Sequence, residues 1–114
     1  MTHTSTILAQ SYLEGEKGLK AAGSDDDMLK HLRQVNDFLL QAYDDRGTAS
    51  VHDDRFYAQV GDGHADHSYW GSPEKMQMHR PVGAVDANRP GSEPTANAAA
   101  SMAAASLVFQ KAGD

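Results

Sequence analysis

The sequence contains no cysteine, so it holds no disulfide framework and no thiolate site, and cysteine usage gives no reading of the redox compartment. It has no run of about 18 apolar residues, which excludes a helical membrane span. Its opening, MTHTSTILAQ, lacks the basic and apolar stretches of a secretory signal, and none is expected there. Positive charge is in short supply. Ten Lys and Arg stand against 16 Asp and Glu, a formal net charge of −6 over 114 residues, which argues against a nucleic-acid partner. Apolar residues are also modest at 39%. Ordering each residue costs about 1–2 kcal/mol of conformational entropy. A chain of this size and composition is expected to be marginal alone and to belong to something larger.

Three segments have helical character. The first spans about residues 4–22, with Leu8, Tyr12 and Leu19 on one face and Ile7 beside them. Gly15 and Gly18 weaken it by about 1 kcal/mol each relative to Ala, and Gly23 offers a stop. The second spans about 24–43. Ser24 is a cap candidate, and Asp25, Asp26 and Asp27 put negative charge where the helix dipole favours it. Met28, Leu32, Val35, Leu39 and Ala42 make a core stripe that Leu29, Phe38 and Tyr43 widen. The short Gly23-Ser24 link predicts an antiparallel helical hairpin. The third helix spans about 93–111, with Ser92 as cap and Pro94 in the first turn. Its body, ANAAASMAAASLVF, reads either as low complexity or as a helix made small to sit close against its neighbours.

Between the second and third helices, residues 44–91 hold half of the aromatic residues and most of the His and Pro. Structureless loops beyond about 12–15 residues are uncommon in compact domains and are usually functional or disordered. The richness in Trp, Tyr, His and Met is unlike disorder. The segment is read as an ordered functional loop with a short strand around 55–60.

Within it, GDGHADH (61–67) packs two Asp and two His into seven residues. His64, Asp66 and His67 are of metal-ligating type, but the spacing fits no strong metal motif. The simpler reading is a turn in which Asp62 caps backbone N–H groups while Gly61 and Gly63 take positive φ; no metal and no cofactor is expected. His67 and Trp70 suit a sugar: the indole face takes the C–H face of a pyranose and the imidazole takes hydroxyls. Trp70 equally suits a plug beneath the loop. Pro73–Pro81 reads as a turn followed by a Met-rich, strand-like piece in which the Met residues pack. Arg80 is either a donor to hydroxyl or carboxylate groups or an internal salt-bridge partner. The acid pairs Asp44-Asp45 and Asp53-Asp54 read as solvated loop charge, and no catalytic residue is assigned.

These residues resemble glycoside hydrolase family 9, the inverting cellulases and endoglucanases. FYAQVGDGHADHSYW (56–70), PEKMQMHRP (73–81) and VDANRPGSEPTANAAASMAAASLVF (85–109) are similar to family blocks in the same order. The upstream LEGEKGLKAAGSDDDMLKHLRQVNDFLLQAY is similar to the family's paired helices. The resemblance covers nearly the whole chain, with departures at Tyr69, Gly83-Ala84, Pro94 and Asn97. It implies an all-α fold, part of an (α/α)6 barrel, in which this chain supplies a helical hairpin, a long cleft loop over 44–91 and an Ala-rich helix.

The resemblance further implies a cleft for β-1,4-glucan and inverting hydrolysis, one carboxylate activating water while another carboxyl protonates the leaving oxygen. The family draws its base from a Tyr-Asp-Ala-Gly-Asp motif, which this sequence lacks; its Lys111-Ala-Gly-Asp114 is not that motif. By resemblance, His67 and Trp70 line the cleft, Arg80 is a further substrate contact, and Asp62 and Asp66 brace the loop. The expectation is an internal fragment of the catalytic domain of a secreted enzyme, binding glucan but lacking the acid and base. The alternatives are a non-catalytic carbohydrate-binding or interaction module and a metal-binding protein.

Overall fold

The computed structural model describes residues 2–113. They form two compact units: a helical one from the residues up to Ala42 together with those from Gly91 onward, and a second from Tyr43 to Pro90.

The helical unit contains α1 (Thr2–Ala22), α2 (Asp25–Ala42) and α4 (Ser92–Ala112), each packed on the other two. The α1–α2 link is a Schellman motif. Gly23 takes φ +67°, its N–H donates to the Lys20 carbonyl at 3.1 Å, and the Ser24 N–H donates to the Leu19 carbonyl at 3.0 Å. Asp25, Asp26 and Asp27 fill the first turn of α2 as expected, and the Ser24 carbonyl accepts its first helical hydrogen bond from the Met28 N–H at 3.1 Å. The start of α4 differs from the expectation. Gly91, not Ser92, is the N-cap and makes no side-chain cap, and Ser92 is the first helical residue. Gly113 closes α4 in the left-handed region, its N–H bonding the Phe109 carbonyl.

The core is Ala9 and Tyr12 from α1, Leu32 from α2 and Val108 from α4, flanked by Leu8, Leu13, Leu19, Met28, Leu29, Ala104 and Phe109. The buried positions of α4 (Ala98, Ser101, Ala105 and Val108) and of α1 (Ser5, Ala9 and Tyr12) each follow helical spacing. Both stripes are mostly small residues. That resolves the Ala-rich sequence as a close-packing surface rather than low complexity. The Ser5 and Ser101 hydroxyls are buried without a hydrogen-bond partner among the described residues. Arg33 lies over the Phe109 ring at 4.7 Å, joining α2 to α4.

Two residues of the expected α2 stripe fall outside the core. Phe38 is exposed, because it lines an open groove of about 420 Å³ with Leu8, Leu32 and Val35. Tyr43 lies past the end of the helix and begins a strand.

Lys111 ties the end of α4 to α1. Its ammonium donates to the Leu13 carbonyl at 2.8 Å and pairs with Glu16 at 3.0 Å, while Lys20 holds the other Glu16 oxygen at 2.7 Å. Hydrogen bonds from Lys20 and then Lys111 hold the Glu16 carboxyl below its ordinary value of 4.5. A depressed carboxyl stabilises the fold above its unfolded value and loses that contribution as pH falls through the folded one. The same pairing raises Lys20, so the Lys20 contribution fades only above pH 10.5. The melting temperature is therefore expected to fall below about pH 4.5, and Glu16→Gln to flatten part of that fall in thermal scans across pH. An identical pH profile in the variant would contradict this.

The second unit carries a three-stranded antiparallel sheet in the order β1 (Tyr43–Asp44), β2 (Arg55–Val60), β3 (Val82–Val85). Tyr43 pairs with Phe56, and Phe56 with Val85; a bulge between Tyr57 and Gln59 shifts the β2–β3 register. β2 matches the expected strand. The Met-rich stretch does not form one: a 3₁₀ turn occupies Pro73–Lys75, and the next strand begins only at Val82. Met76 and Met78 are nevertheless half-buried, in keeping with packing.

Candidate functional site

β2 ends at Val60, and the chain turns sharply at Gly61. Gly61 takes φ +94° and donates its N–H to the Pro81 carbonyl at 2.8 Å. A short helix, α3 (Gly63–Ser68), follows where the sequence predicts a turn. Asp62 is its N-cap, its Oδ1 accepting from the Ala65 N–H at 2.8 Å. The expected capping role of Asp62 therefore holds. Gly61 takes the positive φ foreseen for it, whereas Gly63 is helical.

Asp66 on α3 meets Arg80 in a two-pronged pair. Arg80 Nη1 lies 2.9 Å from Asp66 Oδ1 and Nη2 lies 3.2 Å from Oδ2. Nη2 also reaches the Val60 carbonyl at 3.4 Å, and Nη1 reaches the Met76 sulfur at 3.3 Å. Of the two roles open to Arg80, the structure displays the internal ion pair. Exposed ion pairs are usually worth under about 1 kcal/mol, but forked Arg–carboxylate geometry is the favourable case. This pair fastens α3 to the segment ahead of β3. It sits directly over Gly61, where a Cβ would lie 2.6 Å from Arg80 Nη2 and 3.0 Å from Asp66 Oδ2.

His67 is exposed at the end of α3, its Nδ1 3.0 Å from the Gly63 carbonyl. A carbonyl only accepts, so Nδ1 carries the proton and Nε2 is left for another partner. Tyr69 follows as C-cap. Its hydroxyl donates to the Ser72 carbonyl at 3.2 Å, and its ring lies over Gly71. Between them, Trp70 is 94% exposed. No residue of the loop covers the indole, which projects from a framed turn. Ser72 also bonds the Glu74 carboxylate and so lowers its pKa.

The acid pairs behave as turn and loop residues. Asp44 and Asp45 accept backbone N–H bonds from Arg46 and Gly47 at 3.0 Å each. Asp53 bonds Thr48, and Asp54 accepts the Tyr43 hydroxyl, which raises the phenol's pKa. Among the described residues, no three His, Asp or Glu side chains converge to hold a metal ion. None of the described helices is long and apolar enough to cross a membrane.

The model of glycosyl hydrolase family 9 matches residues 1–114. The chain belongs to that family. Among its relatives, Endoglucanase 5 of Oryza sativa subsp. japonica is 40% identical over 114 residues, all of this chain and 20% of the relative. Endoglucanase 4 of Bacillus sp. (strain KSM-522) is 36% identical over 111 residues, 97% of this chain and 16% of the relative. A solved endoglucanase from the termite Nasutitermes takasagoensis superposes with a TM-score of 0.83 at 41% identity, covering 96% of this chain and 24% of that one. The chain thus spans about a fifth or less of the length of these curated relatives. The likeness to the termite protein also supports the expected partial helical barrel.

Proposed function

We propose that this chain is part of a β-1,4-glucan hydrolase and supplies glucan-binding residues of its cleft, with the acid and base carried elsewhere. The observation that carries this reading is the 94% exposed indole of Trp70 on a braced loop. The exposed indole leaves its flat face free, and that face suits the C–H face of a glucose ring. His67 offers Nε2 to a hydroxyl. Arg80 keeps 43% of its side chain exposed, and its Nε–H, the one donor outside the contacts of Nη1 and Nη2, serves a second hydroxyl. Membership of family 9 and the endoglucanase names of the relatives point to β-glucan as the ligand. Secretion is proposed on the same resemblance. The open apolar groove between α1 and α2 supports a setting with more of the domain around it.

The chain is expected to be retarded in native gels containing hydroxyethylcellulose, and Trp70→Ala to weaken the interaction about tenfold or more. No turnover of carboxymethyl-cellulose is expected. Equal retardation of both proteins would overturn the role of Trp70, and turnover above a host-background control would overturn the assignment of acid and base to other polypeptide.

A further inference from the structure

Trp70 is flanked by a contact, Tyr69 on Gly71, that none of the similarities describes. We infer that Tyr69 is a positioning residue for Trp70: its ring, clasped over Gly71 and bonded to the Ser72 carbonyl, fixes the turn that presents the indole. The inference rests on the glucan-binding reading and assigns that surface a supporting part.

Three observations carry it. A Cβ on Gly71 would lie 2.8 Å from Tyr69 Oη, 2.9 Å from Cζ and 3.2 Å from Cε1. Gly71 has no positive φ, so it is glycine for space and not for conformation: the ring takes the volume that a side chain would need. The Ser72 carbonyl accepts from the Tyr69 hydroxyl at 3.2 Å and from the Lys75 N–H at 3.0 Å. It thereby couples the ring to the Pro73–Lys75 turn. Trp70 lies between the two clasped residues, and at 94% exposure it has almost no packing of its own to fix its direction. A stacking platform with a free backbone would pay the ordering entropy on binding; a clasped one has paid it beforehand.

The test uses the single Trp of the chain as its own reporter. Tyr69→Ala and Gly71→Ala are each expected to lower the fluorescence anisotropy of Trp70, while helical circular dichroism and melting temperature stay at wild-type values. Tyr69→Phe, which keeps the ring and loses only the hydroxyl, is expected to recover most of the anisotropy. In cellotetraose titrations Tyr69→Ala is expected to weaken binding by about threefold to tenfold. Unchanged anisotropy and unchanged affinity in Tyr69→Ala overturn the inference. A wild-type chain that binds no cellotetraose overturns the glucan reading instead, so the two failures are distinguishable.

Discussion

Leu32→Ala is expected to destabilise the helical unit by about 2–5 kcal/mol, the range for emptying a fully buried leucine site. Leu32 has no exposed surface and sits with Ala9, Tyr12 and Val108 at the centre of the three helices. Domains of ordinary stability have only about 5–15 kcal/mol in hand. Ala9 and Val108 are too short to close over the space a lost isobutyl group leaves, and Tyr12 is itself already fully buried. The cost is accordingly expected in the upper part of the range. Leu40 on the same helix is mostly exposed, and Leu40→Ala should change stability by under about 0.5 kcal/mol. Urea unfolding followed by circular dichroism checks both, and equal midpoints would contradict the placement of the core.

Gly61→Ala is expected to cost at least about 1–3 kcal/mol from backbone strain alone, since φ is +94° there. The added methyl would also press on the Arg80–Asp66 fork at 2.6 Å and 3.0 Å, so the fork must open or the turn must move. Either outcome loosens the joint between α3 and the segment ahead of β3. Hydrogen exchange at Gly61, whose N–H bonds the Pro81 carbonyl, should accelerate markedly. Gly63→Ala is the contrasting case. Gly63 is helical with nothing within 4 Å of the added Cβ, and alanine is about 1 kcal/mol better than glycine in a helix. That variant is expected to be neutral or slightly stabilised. Equal exchange in the two variants would contradict the geometry of the turn.

Local chemistry made much of the helical unit legible. Gly23, the Asp25–Asp27 run and the period of the apolar residues are signals carried within a few positions, and the α1–α2 hairpin follows from them. α1 survives Gly15 and Gly18 because both face open space, where a glycine costs propensity and leaves no cavity. Ser92 misled because its residue type suits a cap, whereas the observed cap conformation belongs to Gly91. Phe38 misled because periodicity identifies an apolar face without saying what covers it.

The second unit was harder to read for a physical reason. β1 has two residues and β3 has four, too few for a period of two to show, and each is defined only by pairing with the distant β2. α3 hides behind its own cap: Asp62 signals a turn and a short helix equally well. The alternatives for Arg80 could not be separated, since Asp66 lies fourteen positions away and nothing in the spacing brings the two together. Trp70 likewise admits two roles in the sequence, because residue type alone does not say whether the loop covers the indole. The Tyr69 clasp on Gly71 left no signal, because a glycine kept for space looks like one kept for conformation.

The most direct measurement of glucan contact is the indole N–H resonance in a two-dimensional NMR spectrum, which a chain with one Trp displays as a single peak. With cellotetraose added, that peak is expected to move progressively and to saturate, together with the backbone amides of His67 and Trp70. An indole peak that stays in place up to millimolar oligosaccharide, about 4 kcal/mol of binding at most, would contradict the proposal that Trp70 receives a glucose ring.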